Sequence, residues 1–469
     1  MSKAPPDIVL PANGWEARPY QVPLWQYLNN GGLRAALKWH RRSGKDTTAL
    51  QWTACASQKR VGTYWHMLPT LRQARKVIFE GIVEGADGVA HRVLDAFPGW
   101  RDPGKIGPNG KPVGIVKHIR HDEMKIEMHN GSIWYCVGSD NYDALVGTNP
   151  IGVVFSEWSL SDPNAWHYIR PILSENNGWS IFIWTPRGMN HAAKMYRTVK
   201  EVDEWFTETL TVDDTHAISL GNIELERREG ASEEHLLQEY WCSEDAPLIG
   251  SFYGDQLIAA QKEGRIGRVS HDDALTVDTW ADLGHSDATA IWFTQQTGTE
   301  LRFIDYWEKN GALLSDIATM LDDKKRERGM IYGRHIWPHD GGHKTQASGG
   351  RPLYALFGDL GYEVEVQRRT DIMVGIQRVR QILPRCWFDE QRCEDGLIAL
   401  RSYRKVQDHT KSTEDRPYYK PEPYHDWSSH GADALRTGAM ASFDPRRGPR
   451  VHRDRYADIP QKSNSPWAA

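Results

Sequence analysis

The residues able to do chemistry on phosphate esters fall into two groups, one built around a lysine and one built from carboxylates. The lysine group centres on Trp39-His40-Arg41-Arg42-Ser43-Gly44-Lys45-Asp46-Thr47-Thr48. An apolar run precedes it and a helix-like run follows. Backbone N–H groups at a helix N-terminus bind phosphate oxygens, and a lysine there supplies a point charge. The usual phosphate-loop spacing asks for Gly at position 39 and Ser or Thr at 46, where this chain has Trp39 and Asp46. By spacing alone, a Gly-Lys turn capping a helix is the better account. The neighbours shift that balance. Ile151–Phe155 is an apolar strand leading to Ser156 and Glu157, which suits a carboxylate base for water attacking a γ-phosphate, or a buried strand with an acidic end. Tyr20-Gln21, just before the first strand, has the groups to stack on adenine and to bond its edge. Thr185 follows the strand Trp179–Trp184 and can sense a γ-phosphate.

The carboxylate group comes from three places. Asp282 and Asp287 follow one predicted strand, Asp340 ends a later one, and Asp426, His430 and Asp433 surround the start of the last helix, with Ser428 as its N-cap. Such acids can hold two divalent ions ~3.5–4 Å apart, which clamp the attacking and leaving oxygens of a phosphodiester. Mg²⁺ and Mn²⁺ are hard ions that favour oxygen ligands. His430 and Asp433, three apart, share a helix face. Taken singly, each of these acids is better read as a solvated or capping residue.

The elements that must position these groups follow from hydrophobic patterning. Leu33–Trp39, Val61–Leu68, Ser132–Val137, Ile151–Phe155 and Trp179–Trp184 read as buried strands, with Lys45–Gln58 and Thr70–Ile82 as helices between them. The alternation predicts an α/β domain with a largely parallel sheet over 1–245, its helical, polar 190–245 stretch forming a lid. Residues 246–275 read as a linker. Leu275–Ala281, Ala288–Thr294 and Leu301–Tyr306 predict an antiparallel meander. The helix Ala312–Arg328, the strand Ile331–Pro338 and a helix near 429–441 follow. That is the order of a ribonuclease-H-like fold, expected over 276–443. Residues 444–469 form a basic tail with Arg446, Arg447, Arg450, Arg453 and Arg455, read as disordered. It is either an arm for a polyanion or a solvated end.

Composition sets looser bounds. The chain has 469 residues, 39% hydrophobic and 25% charged, as ordinary globular proteins do. Its net charge of -5 means that any DNA contact requires basic residues to cluster in space. Five scattered cysteines without zinc-type pairing read as free thiols of a reducing compartment. No run of ~18 apolar residues marks a membrane span, and no helix-turn-helix or zinc-finger pattern is present.

The ordered set of motifs over about 18–190 resembles the ATPase of the large terminase subunits of tailed bacteriophages, of the additional-strand, Glu-containing P-loop class. Arg18–Gln21 matches its adenine motif, Arg41–Lys45 its arginine-rich phosphate loop, Gly131-Ser132 and Gly138-Ser139-Asp140-Asn141 the stretch before the acidic strand, and Thr185-Pro186 its coupling motif. Ser429-His430-Gly431-Ala432-Asp433-Ala434-Leu435-Arg436 resembles the last nuclease motif of the same family, and Asp282–Asp287 the first.

The resemblance implies roles. Tyr20, Gln21, Arg41, Arg42, Ser43, Gly44, Lys45, Asp46 and Thr47 bind ATP, with Lys45 on the β- and γ-phosphates and Gln21 reading adenine. Glu157 polarises the lytic water, Thr185 couples hydrolysis to movement, and Arg42 stabilises transition-state charge. Asp282, Asp340 and Asp433 ligate two Mg²⁺ or Mn²⁺ ions, with Asp287, His430 and Asp426 auxiliary. The family has Ser or Thr where Asp46 stands and Asp where Ser156 stands. An exchange of the two ligands of the ATP-bound Mg²⁺ is expected, Asp46 bringing the carboxylate and Ser156 the hydroxyl, unless Thr47 or Thr48 takes the hydroxyl role. Many relatives carry a trans-acting arginine where this chain has Val146. The resemblance further implies duplex DNA, a small terminase subunit and a procapsid portal protein as partners. It implies a pentameric ring when docked, a place in the host cytoplasm and transiently at the portal vertex, and no membrane. A helicase-like translocase and a ribonuclease-H-like resolvase with an appended nucleotide site are the alternatives.

Overall fold

The computed structural model describes residues 9–84, 90–140, 142, 147–245, 247–284, 287–344, 350–408 and 418–441. The chain forms two compact units, Met1–Leu248 and Ile249–Ala469. Among the described residues no helix is long and apolar enough to cross a membrane, and the five cysteines are free.

The first unit is built on a sheet of β1 (Arg34–Trp39), β2 (Thr63–Leu68), β3 (Val116–Arg120), β4 (Lys125–Met128), β5 (Ile133–Gly138), β6 (Pro150–Ser156), β7 (Trp179–Trp184) and β8 (Trp205–Leu210), in the order β8-β1-β7-β6-β2-β5-β4-β3. From β8 to β5 all neighbours are parallel, and the hairpin β3–β4 extends the far edge. Every residue of β6 and of β7 is buried, which explains their unbroken apolar runs: a parallel strand covered on both faces has no solvent side. Phe155 of β6 stacks on Phe182 of β7 with ring centroids 4.4 Å apart. Helix α1 (Lys45–Lys59) leaves the end of β1 and returns across the sheet. The decisive topological feature is β7, a strand added between the lysine-loop strand β1 and the acid-ended strand β6.

Three expectations are corrected. Residues 205–210 belong to no helical lid. They form β8, paired in parallel with β1 from Arg34↔Trp205 to Trp39↔Leu210. Trp-Phe-Thr-Glu-Thr-Leu carries too much polarity to read as a buried strand, because an edge strand is covered on one side only. The helix expected over 70–82 is a short turn, Leu71–Gln73, followed by wide π-type turns to Phe79. Residues 249–275 are no free linker: the helix Gly254–Lys262 and the strand β9 (Ile266–Gly267) are part of the second unit. The basic tail lies outside the described residues.

The second unit's sheet contains β10 (Val277–Asp282), β11 (Ala288–Thr297), β12 (Glu300–Asn310), β13 (Tyr332–Trp337), β14 (Val364–Val366) and β15 (Cys386–Asp389), in the order β9-β15-β12-β11-β10-β13-β14. β11 runs antiparallel to both β10 and β12, whereas β13 runs parallel to β10 and β14 parallel to β13. The parallel pairing of β10 with β13 brings the chain after Asp282 and after Trp337 to the same sheet edge. That is the ribonuclease-H-like arrangement, widened by β15 and β9 beside β12.

The last helix, α2 (Ser428–Ala441), lies so close to β10 that a Cβ on Gly438 would sit 1.7 Å from the ring of Trp280. Trp280 is itself buried and cannot move aside. Gly438 therefore sets the height of this helix, and with it of Asp433, above the strand that ends in Asp282. Gly438→Ala is expected to overpack this contact and lower the stability of the second unit by about 1–3 kcal/mol. Denaturant unfolding checks it, and an unchanged midpoint would contradict the close packing.

Candidate nucleotide and metal sites

In the first unit the loop after β1 turns through two left-handed residues, Arg42 (φ 67°) and Gly44 (φ 79°), before α1 begins at Lys45. The left-handed φ favours glycine there, and a Cβ on Gly44 would crowd Gln21 Nε2 at 3.0 Å. The first N–H groups of α1 have no partner within the helix and face the loop. Lys45 is buried, yet its Nζ is held at the sheet edge: it donates to Thr185 Oγ1 at 2.9 Å and lies 3.9 Å from Glu157 Oε1. Glu157 follows β6 in a left-handed conformation, φ 51°, a strain costing about 1–3 kcal/mol for a non-glycine residue. Its Oε2 is buried and has no hydrogen-bond partner among the described residues, nor does the hydroxyl of Ser43. A cation, a carboxylate and a hydroxyl from three separate strand ends thus converge beside the first N–H groups of α1, an arrangement that fits a nucleotide's phosphates.

The structure also brings Asp46 and Ser156 together. The Ser156 hydroxyl donates to Asp46 Oδ1 at 2.6 Å, and the imidazole Nε2 of the buried His66 lies 3.1 Å from the same oxygen. Burial alone would raise the Asp46 carboxyl, but His66, Ser156 and Lys45 together hold it below the usual carboxylate range. Thr48 spends its hydroxyl on the Gly44 carbonyl, whereas Thr47 is half-buried beside Asp46.

Other expected residues fall differently. Gln21 does not present a free amide. Its oxygen accepts from the Arg18 N–H and its nitrogen donates to the Ser43 carbonyl, so it braces the loop from below. Tyr20 donates to that same carbonyl. Arg42 is exposed, while Arg41 lies 3.7 Å from Glu239. Asn141 and the segment containing Val146 lie outside the described residues.

Glu239, on the helix Glu233–Trp241, is a feature that reading the sequence missed. It is buried, pairs with Arg187 just beyond Thr185-Pro186, and accepts the Arg41 N–H on its backbone carbonyl. One carboxylate therefore ties the phosphate loop to the strand end that follows Thr185. His40 adds a second tie, its Nε2 lying 2.6 Å from Thr215 Oγ1.

In the second unit β10 delivers Asp282, and α2 delivers His430 and Asp433. His430 Nδ1 lies 3.7 Å from Asp282 Oδ2. Burial, opposed by Arg436 and reinforced by Asp282, pushes the Asp433 carboxyl up to about 6. Burial would lower the His430 imidazole, but Asp282 and Glu308 hold it above its ordinary value. A buried carboxyl held beside a second one is an arrangement that a divalent cation would relieve. Asp287 is more exposed and lies 3.9 Å from His425 Nε2.

Two members of the expected ligand set have partners of their own. Asp340 stands between two histidines. Its Oδ1 lies 3.2 Å from His339 Nε2 and 3.3 Å from His343 Nδ1, and these three residues form the tightest potential ligand group among the described residues. Asp426 is used structurally: it accepts from the Ser428 N–H and hydroxyl and pairs with Arg404 at 2.8 Å. Asp426, not Ser428, thus caps the first turn of α2. His425 and Glu308 were missed because no spacing rule singles out a histidine or acid whose partner lies on another element, whereas His339 and His343 flank Asp340 closely in sequence and their spacing alone could have marked them.

Fold and site together define a P-loop ATPase of the additional-strand class joined to a ribonuclease-H-like nuclease fold. In sequence the chain is 24% identical to the terminase large subunit of Escherichia phage T5 over 335 residues, covering 67% of this chain and 71% of that one. The matched stretch is longer than either unit alone, so the likeness runs into both. No model of a known protein family matches the chain. Among solved structures, the large terminase of a thermophilic bacteriophage in complex with ADP shares 14% identity over 90% of this chain and 98% of that one, with a TM-score of 0.39. The large terminase ATPase domain of Thermus phage P74-26 shares 18% over 50% and 99%, with a TM-score of 0.38. The P22 large terminase nuclease domain shares 18% over 38% and 89%, with a TM-score of 0.28. These superpositions are too loose to bear on the assignment, which rests on topology, site geometry and the sequence likeness.

The Glu239 ties give a stability prediction. Burial raises this carboxyl, but Arg187 and Arg41 outweigh it and leave it below its ordinary value. Its contribution is therefore complete above the unfolded carboxylate pKa of ~4.3 and is lost as pH falls through the lower folded value. Glu239→Gln is expected to cost on the order of 1–3 kcal/mol at neutral pH. The gap to wild type should shrink below about pH 4. A gap independent of pH in urea unfolding would rule out the charge pairing as its source.

Proposed function

We propose that this chain is the motor and nuclease of a phage DNA-packaging machine, hydrolysing ATP to translocate duplex DNA into a procapsid and cutting concatemeric DNA with bound metal ions. The observation that carries this reading is the meeting of Lys45, Thr185 and Glu157 at one sheet edge, in a chain whose second unit sets Asp282 beside His430 and Asp433. The phage T5 relative, a terminase large subunit, supports it.

Lys45 holds the β- and γ-phosphates, where the first N–H groups of α1 also point. Glu157 orients the attacking water: a carboxylate with one unpaired buried oxygen has a lone pair ready for that hydrogen bond. Thr185 bonds Lys45 at rest, so phosphate binding to Lys45 changes the partner of the strand end that leads to Arg187. Arg42, exposed on the loop, reaches the developing charge. Asp46 and Ser156 serve the Mg²⁺ that accompanies ATP. Asp282 and Asp433 hold one nuclease cation with His430 behind them, and Asp340 holds a second. When bound, such ions activate water and stabilise the leaving oxygen. The partners are duplex DNA, gripped through its phosphates, a small terminase subunit and a portal protein. The assembly is a pentameric ring that works in the host cytoplasm at the portal vertex.

Plasmid digestion in Mg²⁺ or Mn²⁺, with ATPase assayed in parallel, tests this. Asp433→Ala is expected to lose cutting and keep ATP hydrolysis, whereas Glu157→Gln should do the reverse. A wild-type protein that cuts in neither metal would favour a translocase without cleavage. The imidazoles beside Asp340 add a finer expectation, since they suit Mn²⁺ better than Mg²⁺. Cutting should be faster in Mn²⁺, and His343→Ala should narrow the difference; equal rates in both metals would count against His343 as a ligand.

A further inference from the structure

His66 is the one polar member of an apolar row. It stands on β2 between Tyr64 and Leu68, with Cys136 of β5 and Val154 of β6 as its cross-strand partners. All of these are buried, and His66 itself is 0% exposed. Burying an imidazole in such surroundings is unfavourable unless its nitrogens are bonded. Only one is. Nε2 lies 3.1 Å from Asp46 Oδ1, and Nδ1 has no partner among the described residues. A proton on Nδ1 would be a buried, unsatisfied donor, so the ring places its proton on Nε2, donating to Asp46. Asp46 Oδ1 thereby receives two hydrogen bonds from beneath, one from His66 and one from the Ser156 hydroxyl. No hydrogen bond from a described residue reaches Oδ2, and the Asp46 side chain remains 27% exposed at the start of α1.

We infer that His66 is a positioning residue for the ATP site: with Ser156 it pins Asp46 Oδ1, so that Oδ2 is the oxygen presented to the cation accompanying the nucleotide. This rests on the reading of the loop as an ATP site. It also refines the exchange expected from sequence. The Ser156 proton is committed to Asp46, so the pair presents one oriented carboxylate with its hydroxyl donor behind it. A histidine on β2, with β7 and β6 between it and the loop strand β1, does for a carboxylate what outer-shell partners do for metal ligands elsewhere, fixing which oxygen faces out.

The test uses the full chain and N-methylanthraniloyl-ATP fluorescence, titrated with Mg²⁺ and repeated in EDTA. His66→Leu fills the same volume without a donor, and His66→Gln keeps a donor nitrogen at the Nε2 position. His66→Leu is expected to raise the Mg²⁺ concentration for half-maximal effect by roughly 10-fold, leaving nucleotide affinity in EDTA unchanged. His66→Gln should recover most of that loss. A merely structural role would shift affinity equally with and without Mg²⁺, or would leave the glutamine variant as impaired as the leucine one; either result overturns the inference. So does a folded His66→Leu protein with the wild-type Mg²⁺ dependence. Should His66→Leu not fold, His66→Gln and Ser156→Ala decide: a near-normal Mg²⁺ dependence in the first with a weakened one in the second supports the inference, and any other pairing overturns it. A wild-type protein that binds no nucleotide under either condition removes the ATP reading itself, and the inference with it.

Discussion

The first unit turns on a lysine ammonium held almost out of water. Lys45 can be buried because Thr185 and Glu157 stand at the ends of the next two strands, β7 and β6, on one side of its loop. They stand there because β7 is added between β1 and β6. A buried cation facing one carboxylate at 3.9 Å and a row of free N–H groups is only partly compensated. An incoming polyphosphate supplies the missing negative charge. The same insertion of β7 that places Thr185 also routes the following residues to Arg187 and its buried partner Glu239. The phosphate loop and the segment after Thr185 are therefore joined twice, once through Lys45 and once through Glu239.

The second unit faces the opposite electrostatic problem. Asp282 and Asp433 are brought near one another by a parallel-sheet edge and a closely seated helix, with burial adding to their repulsion. What allows the approach is steric: glycine at 438 lets α2 settle onto Trp280, and a Cβ on Gly431 would meet the Tyr306 hydroxyl at 2.9 Å. The small residues around Asp433 in the motif are thus part of how the acid is delivered.

Several elements were legible because their patterns are local. The apolar run of β6 and its terminal acid, the Gly-Lys turn, and the strand-strand-strand-helix-strand order of the second unit needed only periodicity and punctuation. The strand Trp205–Leu210 was missed because edge strands are half polar. The supposed linker was misread because the short β9 is held by pairing with β15, which lies far along the chain. Gln21 was identified as a site residue for its amide, yet the structure spends that amide on Ser43. The change from ligand reader to loop brace depends on a contact 22 residues away.

The sequence by itself determined which residues are the candidates for chemistry: Lys45 after its glycine, Glu157 after its strand, and the acids at 282, 340 and 433. Residue type and the ends of periodic segments suffice for that. Only the tertiary structure decided how those residues are held. It set His66 beneath Asp46, joined Arg41 and Arg187 through Glu239, and placed His430 beside Asp282. The physical reason is that hydrogen bonds and charge pairing act over a few ångströms in space, and sheet order, not sequence separation, decides which side chains come within that range.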